Sequence, residues 1–93
     1  MYTYAPRVLE ALAGHGVRPN ARVAPDRVRA FVNDLYCYEL RALRARLLRG
    51  RIPRPDYAAQ VAAVRQRYWV LSLPIQEWAA SRTESRKRPR PNG

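Results

Sequence analysis

The stretch PDRVRAFVNDLYCYELRALRARLLRG, residues 25–50, decides the fold. Pro25 and Asp26 form a helix-initiation signal, because proline fits the first helical turn and a carboxylate is favoured near the positive end of the helix dipole. Gly50 is the stop signal, which predicts one long helix from about Pro25 to Arg49. Apolar residues recur within it at spacings of three and four, the pattern of a buried stripe: Val28, Phe31, Val32, Leu35, Tyr36, Leu43 and Leu47.

Shorter helical segments lie on both sides of this stretch. In APRVLEALAGHG, Pro6 opens a short helix that ends at Gly14 or Gly16 and carries Val8, Leu9 and Leu12 on one side. After Gly50, the short link RGRIPRP predicts that the next helix folds back as an antiparallel neighbour. That helix is predicted over residues 55–68, with an apolar stripe of Tyr57, Val61, Val64 and Tyr68.

The C-terminal quarter of the chain changes character twice. In YWVLSLPIQEW, Ser72 and Pro74 either start a short fourth helix bearing Ile75 and Trp78 or belong to an apolar strap over the bundle. Residues 82–93 contain no apolar side chain and are predicted to be a disordered basic tail. The sequence therefore predicts an all-α fold, a small antiparallel bundle of three main helices over residues 1–81, followed by that tail.

Composition limits the compartment. No apolar run approaches the roughly 20 residues of a membrane span, and we find no secretory signal pattern near Met1. Cys37 is the single cysteine, which agrees with a reducing environment. We therefore expect a soluble cytoplasmic protein, or a nuclear one in a eukaryotic or viral setting. The tail sequence SRKRPRP resembles a short basic nuclear-import signal, although such runs arise easily.

The formal charge of +11 is the strongest global signal. Residues 82–93 hold five basic residues and one acid, and residues 1–81 hold 13 basic residues and six acids. Because body and tail are both positive, a polyanionic partner such as RNA, DNA or an acidic protein is favoured. The opposing explanation is a compositional bias, since 17 of the 18 basic residues are arginine, as a GC-rich genome would produce.

The residues expected to bind nucleic acid form two clusters. Those on the outer face of the long helix and in the following turn are Arg41, Arg44, Arg49, Arg51 and Arg54. Those in the tail are Arg86, Lys87, Arg88 and Arg90. Some arginines at the helix end also complement the negative end of its dipole, which is a structural reason for their presence. The leading interpretation is a non-enzymatic nucleic-acid-binding or ribonucleoprotein-associated module.

Enzymatic chemistry is not indicated. One cysteine, one histidine and scattered acids supply no paired carboxylates, activated nucleophile or metal-ligand spacing, and no phosphate-binding glycine loop occurs, so no cofactor or metal is expected. Arg41 lies one turn beyond Cys37, an arrangement that can activate a thiol but that arises freely on helices. Glu39 falls on the apolar side and is predicted to be a buried structural acid bound to an arginine or tyrosine, with Arg46 on the same stripe.

Two other interpretations stay open. A helical protein-interaction adaptor, or a small subunit of a larger complex, would use exposed apolar residues around Tyr38, Leu48, Trp69 and Trp78, with an acidic protein as partner. Trp69 and Tyr68 follow two arginines in RQRYW, but periodicity favours core packing for both over a stacking platform. A cationic helix lying on an anionic membrane is weaker, since the long helix needs its apolar stripe for the fold.

Overall fold

The computed structural model describes residues 1–81 and confirms the all-α bundle. Its α-helices are α1, α2 and α3, which span Pro6–Ala13, Pro25–Leu48 and Arg54–Arg67. Two 3-10 turns, Trp69–Ser72 and Ile75–Glu77, follow α3. Two short strands, β1 at Tyr2–Tyr4 and β2 at Ala79–Ser81, complete the described fold. The predicted tail at 82–93, with the domain boundary before it, lies outside the described residues.

Proline starts all three helices. Pro6, Pro25 and Pro55 each lie in the first helical turn, and the cap residues before them make no side-chain capping bond. Proline suits this position because its fixed φ is helical and its missing N–H would have no intrahelical acceptor there. The sequence-based bounds of α2 and α3 are therefore correct to within one residue.

Glycine ends α1 and α2 by the same device. Gly16 and Gly50 have φ of 78° and 74°, a left-handed conformation that glycine adopts without steric cost. After Gly50, the amide of Arg51 donates to the carbonyl of Arg46 and closes the helix in a Schellman motif. The corresponding bond at α1 runs from the Val17 amide to the Leu12 carbonyl, so α1 is closed at Gly16 rather than Gly14.

The core lies where α1, the 3-10 turns and α3 meet one side of α2. Trp78 is wholly buried, and its indole N–H donates to the carbonyl of Val70 at 3.2 Å. The segment carrying Trp78 is therefore the predicted strap and not a fourth α-helix, because Pro74 separates two single 3-10 turns. The residues of this hydrophobic core are Tyr4, Val8, Leu12, Val28, Val32, Leu43, Ile52, Val64, Tyr68, Val70 and Trp78, and Pro25 is also buried.

The sequence did not predict the strand pair. β1 and β2 are antiparallel, with Tyr2 opposite Ser81 and Tyr4 opposite Ala79. The Ala5 amide donates to the carbonyl of Trp78 at 2.9 Å, and the Tyr4 hydroxyl donates to the carbonyl of Val23 at 2.6 Å. The pair thus attaches the N-terminal segment both to the strap and to the loop between α1 and α2.

Three apolar residues assigned to buried faces are exposed instead. Phe31 is 54% exposed because it lies at the edge of the α2 stripe, where the preceding loop covers it only partly. Leu9 and Trp69 are 39% and 40% exposed, so the core assignment of Trp69 was wrong, whereas Tyr68 is buried as expected.

None of the helices described between residues 1 and 81 has the length and apolar character of a membrane span.

Candidate nucleic-acid interface

Six arginines cluster at one end of the bundle, which we call the arginine tip: Arg41, Arg44, Arg46, Arg49, Arg51 and Arg54. They occupy the last two turns of α2, the connecting turn and the first residue of α3. All six are exposed, and no acidic residue occurs between positions 40 and 55. The side-chain hydrogen bonds and ion pairs within residues 1–81 involve Arg7, Arg29 and Arg67 but none of these six. The tip therefore presents uncompensated positive charge.

The turn at the tip is anchored from inside. Ile52 is buried between the two helices' ends, although the residues on both sides of it are exposed. The Schellman bonds at Gly50 fix how the chain leaves α2, and the Tyr57 amide donates to the carbonyl of Pro53 to begin α3. Arg51 and Arg54 consequently project from a fixed turn, which reduces the backbone entropy lost when they bind a ligand.

Helix geometry separates the arginines of α2 into two groups. Arg41 and Arg44 are one turn apart and lie on the side away from buried Leu43. Arg46 borders a groove of about 230 Å³ between α2 and α3 that also contains Ala42 and Ala63. Arg46 was placed on the apolar side with Glu39, but it is exposed and makes no ion pair within residues 1–81.

Glu39 binds two residues at the C-terminal end of α3. The Tyr68 hydroxyl donates to Oε2 of Glu39 and the Arg67 guanidinium donates to Oε1, both at 2.5 Å. The partners are of the expected types, but the Glu39 side chain is 37% exposed and so is half-buried rather than buried. It lies at the open edge where α2 meets α3, which leaves one side in contact with solvent.

These contacts shift the pKa values of Glu39 and Tyr68 in opposite directions. The Tyr68 hydrogen bond lowers the pKa of the Glu39 carboxyl, with help from Arg67, against the opposing effect of partial burial. Burial, followed by the hydrogen bond and charge of Glu39, raises the pKa of Tyr68 to about 12. At neutral pH the pair is therefore a carboxylate that accepts from a neutral phenol.

His15 completes this cluster from the end of α1. Its ring stacks on Tyr68 with centroids 4.0 Å apart and an interplanar angle of 21°, and its Nε2–H donates to the carbonyl of Arg67 at 2.7 Å. The cluster of His15, Glu39, Arg67 and Tyr68 thus joins all three helices. Its polar groups satisfy one another, which identifies it as a structural junction.

Cys37 is half-buried on α2, and among the described residues no group of three metal-ligating side chains occurs.

Large apolar side chains are exposed next to the tip. Tyr38 and Leu48 are 69% and 70% exposed on the outer side of α2, whereas Trp78 is buried and unavailable to a partner. Phe31 was missed as a surface residue. Because it lies seven residues before Tyr38, which had been placed on the outer side, the helical repeat could have identified it.

Of the predicted binding residues, the structure brings together the five in α2, the turn and α3. It shows them exposed at one end and adds Arg46 to them. The tail residues Arg86, Lys87, Arg88 and Arg90 lie outside the described part of the chain. The chain matches no protein-family model, and neither a curated protein nor a solved structure is significantly similar to it.

Proposed function

We propose that this chain is a non-enzymatic nucleic-acid-binding module that grips phosphates with the arginine tip. The observation that carries the proposal is the run of six exposed arginines without an intervening acid and without a side-chain partner among residues 1–81. Elsewhere in the described chain, Arg7 and Arg67 are neutralised locally by Glu77 and Glu39. The tip is therefore the part of the described chain where a polyanion would gain the most electrostatic attraction.

Arginine chemistry suits phosphate in particular. A guanidinium group offers planar, paired N–H donors that match two phosphate oxygens, and it stays charged at any physiological pH. Because the six side chains lie on two helices and a fixed turn, several of them can contact one nucleic-acid backbone at the same time. Each contact releases condensed counterions, so binding should weaken steeply as salt is raised. The basic residues of 82–93 would add further contacts of the same kind.

A fourfold substitution tests the proposal. Replacing Arg41, Arg44, Arg49 and Arg51 with glutamine leaves the buried residues of α2 untouched, so the helical circular dichroism spectrum and melting should be preserved. Each lost contact should flatten the plot of log affinity against log salt by about 0.9 for duplex DNA or about 0.7 for a single strand. Four contacts predict a loss of roughly 3 units of slope.

The control replaces Arg18, Arg22 and Arg65 with glutamine. These three are also exposed, and their side chains make no ion pair within residues 1–81, so the net charge falls by three while the tip and Arg27 are kept. We expect a smaller change of slope in this control. Equal slopes in both variants, or a parent protein without salt-dependent affinity for RNA or DNA, would refute the proposal.

One observation supports a second candidate function, a protein-interaction adaptor. Tyr38 and Leu48 expose more than two thirds of their surface beside Arg41 and Arg44. A partner offering apolar side chains flanked by carboxylates would fit such a surface. Copurification from native lysate separates the two functions, because partners lost on nuclease treatment support the nucleic-acid module and protein partners that survive it support the adaptor.

A further inference from the structure

The outer face of α2 carries two exposed aromatic rings. Phe31 and Tyr38 are 54% and 69% exposed, and their spacing of seven residues is almost two full turns, so both rings lie on the same side. At about 1.5 Å per residue they are roughly 10 Å apart along the axis. We call this surface, together with the arginines that flank it, the ring face.

Arginines flank both rings. Arg27 lies one turn before Phe31, and Arg41 lies one turn after Tyr38, where the ring face continues into the arginine tip. Arg18 and Arg27 also border a pocket of about 310 Å³ against Phe31. Its remaining walls are apolar: Val17, Pro19, Val23 and Val28. The two rings thus lie along almost four turns of α2 with a guanidinium group at either end.

We propose that the ring face binds single-stranded nucleic acid, with unpaired bases stacked on Phe31 and Tyr38 and phosphates held by Arg27 and Arg41. This rests on the proposed function and specifies its substrate. Aromatic stacking is open only to bases outside a duplex, since paired bases are stacked on their own neighbours. The arginine tip alone would treat single strands and duplexes alike. The ring face therefore makes the single strand the preferred ligand.

Asp34 lies between the two rings and orients the strand. It is three residues after Phe31 and four before Tyr38, exposed, and without a side-chain hydrogen bond or ion pair within the described chain. A carboxylate repels phosphate, so the strand must turn its base edges towards Asp34. Unpaired bases offer N–H donors on those edges, namely the exocyclic amino groups of cytosine and adenine and the N3–H of uracil, so Asp34 can accept a hydrogen bond from any of them.

Other occupants fit the ring face less well. A second copy carries the same excess of 18 basic over seven acidic residues, so it would approach the arginines of the ring face with like charge. Residues 82–93 of the same chain are basic, and their only apolar side chains for the pocket are those of Pro89 and Pro91. An acidic apolar protein segment is the remaining occupant, and the experiment below distinguishes it.

The experiment compares Phe31→Leu/Tyr38→Leu with Trp69→Leu. Leucine keeps apolar bulk and helix propensity but removes the flat ring, and Trp69 is a comparably exposed aromatic outside α2. Affinity is measured for a fluorescent C-rich 12-mer and for a duplex of the same sequence. Loss of each ring should weaken single-strand binding about fivefold or more, with little change in salt slope or in duplex affinity, and Trp69→Leu should have little effect.

The outcomes separate this inference from the proposed function. If the ring variant binds the 12-mer as tightly as the parent while the tip variant loses its salt slope, the ring face is not a stacking surface but the arginine tip still binds phosphate. If neither variant changes nucleic-acid binding and the parent instead retains protein partners after nuclease treatment, both proposals fail and an acidic protein is the occupant.

Photocrosslinking supplies a direct readout. A 12-mer containing 4-thiouridine at successive positions should crosslink to Tyr38 or Phe31, identified by mass spectrometry of the tryptic peptides. Crosslinks confined to other residues would overturn the assignment.

Discussion

The Tyr68 hydroxyl donates a 2.5 Å hydrogen bond to Oε2 of Glu39, joining the C-terminal end of α3 to the middle of α2. The ring of Tyr68 is buried while the carboxylate is half exposed, so the bond crosses the boundary between core and solvent. Arg67 holds the other carboxylate oxygen, and His15 covers the outer face of the Tyr68 ring. One acidic side chain thereby sets the register of the two long helices.

Replacing Glu39 with alanine should destabilise the fold by about 1–3 kcal/mol, because the Tyr68 hydroxyl at the edge of the core loses its acceptor. Urea unfolding followed by circular dichroism measures the change. Asp34→Ala is the control, an exposed acid on the same helix that makes no side-chain bond within residues 1–81, and should change stability by less than about 0.5 kcal/mol. Equal stabilities for the two variants would mean that the carboxylate contributes nothing.

Acid should weaken the fold through the same residue. The pKa of Glu39 is lowered in the folded chain, so its contribution is present above its ordinary value of 4.5 and is lost as pH falls through the folded pKa. Melting temperature measured from pH 6 to pH 2 should fall more in the parent than in Glu39→Gln. If melting temperature fell equally with pH in both proteins, the ionisation of Glu39 would not contribute to stability.

Alkali should act through Tyr68. Its pKa is raised from 10.0 to about 12, so the stabilising contribution of the neutral phenol is complete below pH 10 and is lost as pH rises through about 12. Absorbance of tyrosinate at 295 nm should show a late phase that includes Tyr68, together with Tyr4, whose pKa burial also raises. In Tyr68→Phe the amplitude of that phase should fall by one tyrosine, whereas an unchanged amplitude would show that Tyr68 does not titrate late.

Trp78 should be the most sensitive position of the strap. It is wholly buried, so Trp78→Ala should cost about 3–5 kcal/mol through lost burial and the cavity left behind. Trp69→Ala, at a 40% exposed site in the same segment, should cost considerably less. Thermal melts of the two variants measure which substitution destabilises the fold more. A larger loss of stability for Trp69→Ala would contradict the burial of Trp78 in the core.

Gly50 should be intolerant of side chains for conformational reasons alone. A Cβ there would meet no atom within 4 Å, but the residue has φ of 74°, so Gly50→Ala should cost about 1 kcal/mol. Gly14 has φ of −62° and is the control, for which we expect a smaller loss. Urea unfolding measures the stability of both variants. An unchanged stability of Gly50→Ala would contradict the Schellman closure of α2.

The helices could be predicted because proline and glycine mark their ends locally. Pro25 and Gly50 act through their own backbone conformations, which no tertiary contact needs to reinforce. The strand pair could not be predicted, since β1 and β2 have three residues each and Tyr2 meets Ser81 only through the tertiary fold. The partner of Glu39 depends likewise on how α3 packs, so sequence indicated its residue type but not its identity.

The sequence also could not predict which residues at the edge of the apolar stripe of α2 are exposed. Phe31 and Val32 are adjacent, and periodicity assigned both to the apolar stripe, but only Val32 is buried. The difference arises from the loop before α2, which leaves an open pocket over Phe31. The arginines of the tip other than Arg46 were easier to place, because a charged side chain at the end of a helix is exposed in almost any packing.

The antiparallel pairing of Tyr2 with Ser81 places the two ends of the described fold side by side. A circularly permuted chain is therefore feasible, in which a short glycine linker joins Ser81 to Met1 and new termini open between Gly50 and Arg51. Such a chain keeps every arginine of the tip but cuts the backbone that carries them. It would show whether the positive charge suffices for binding or whether it must be held on a continuous turn.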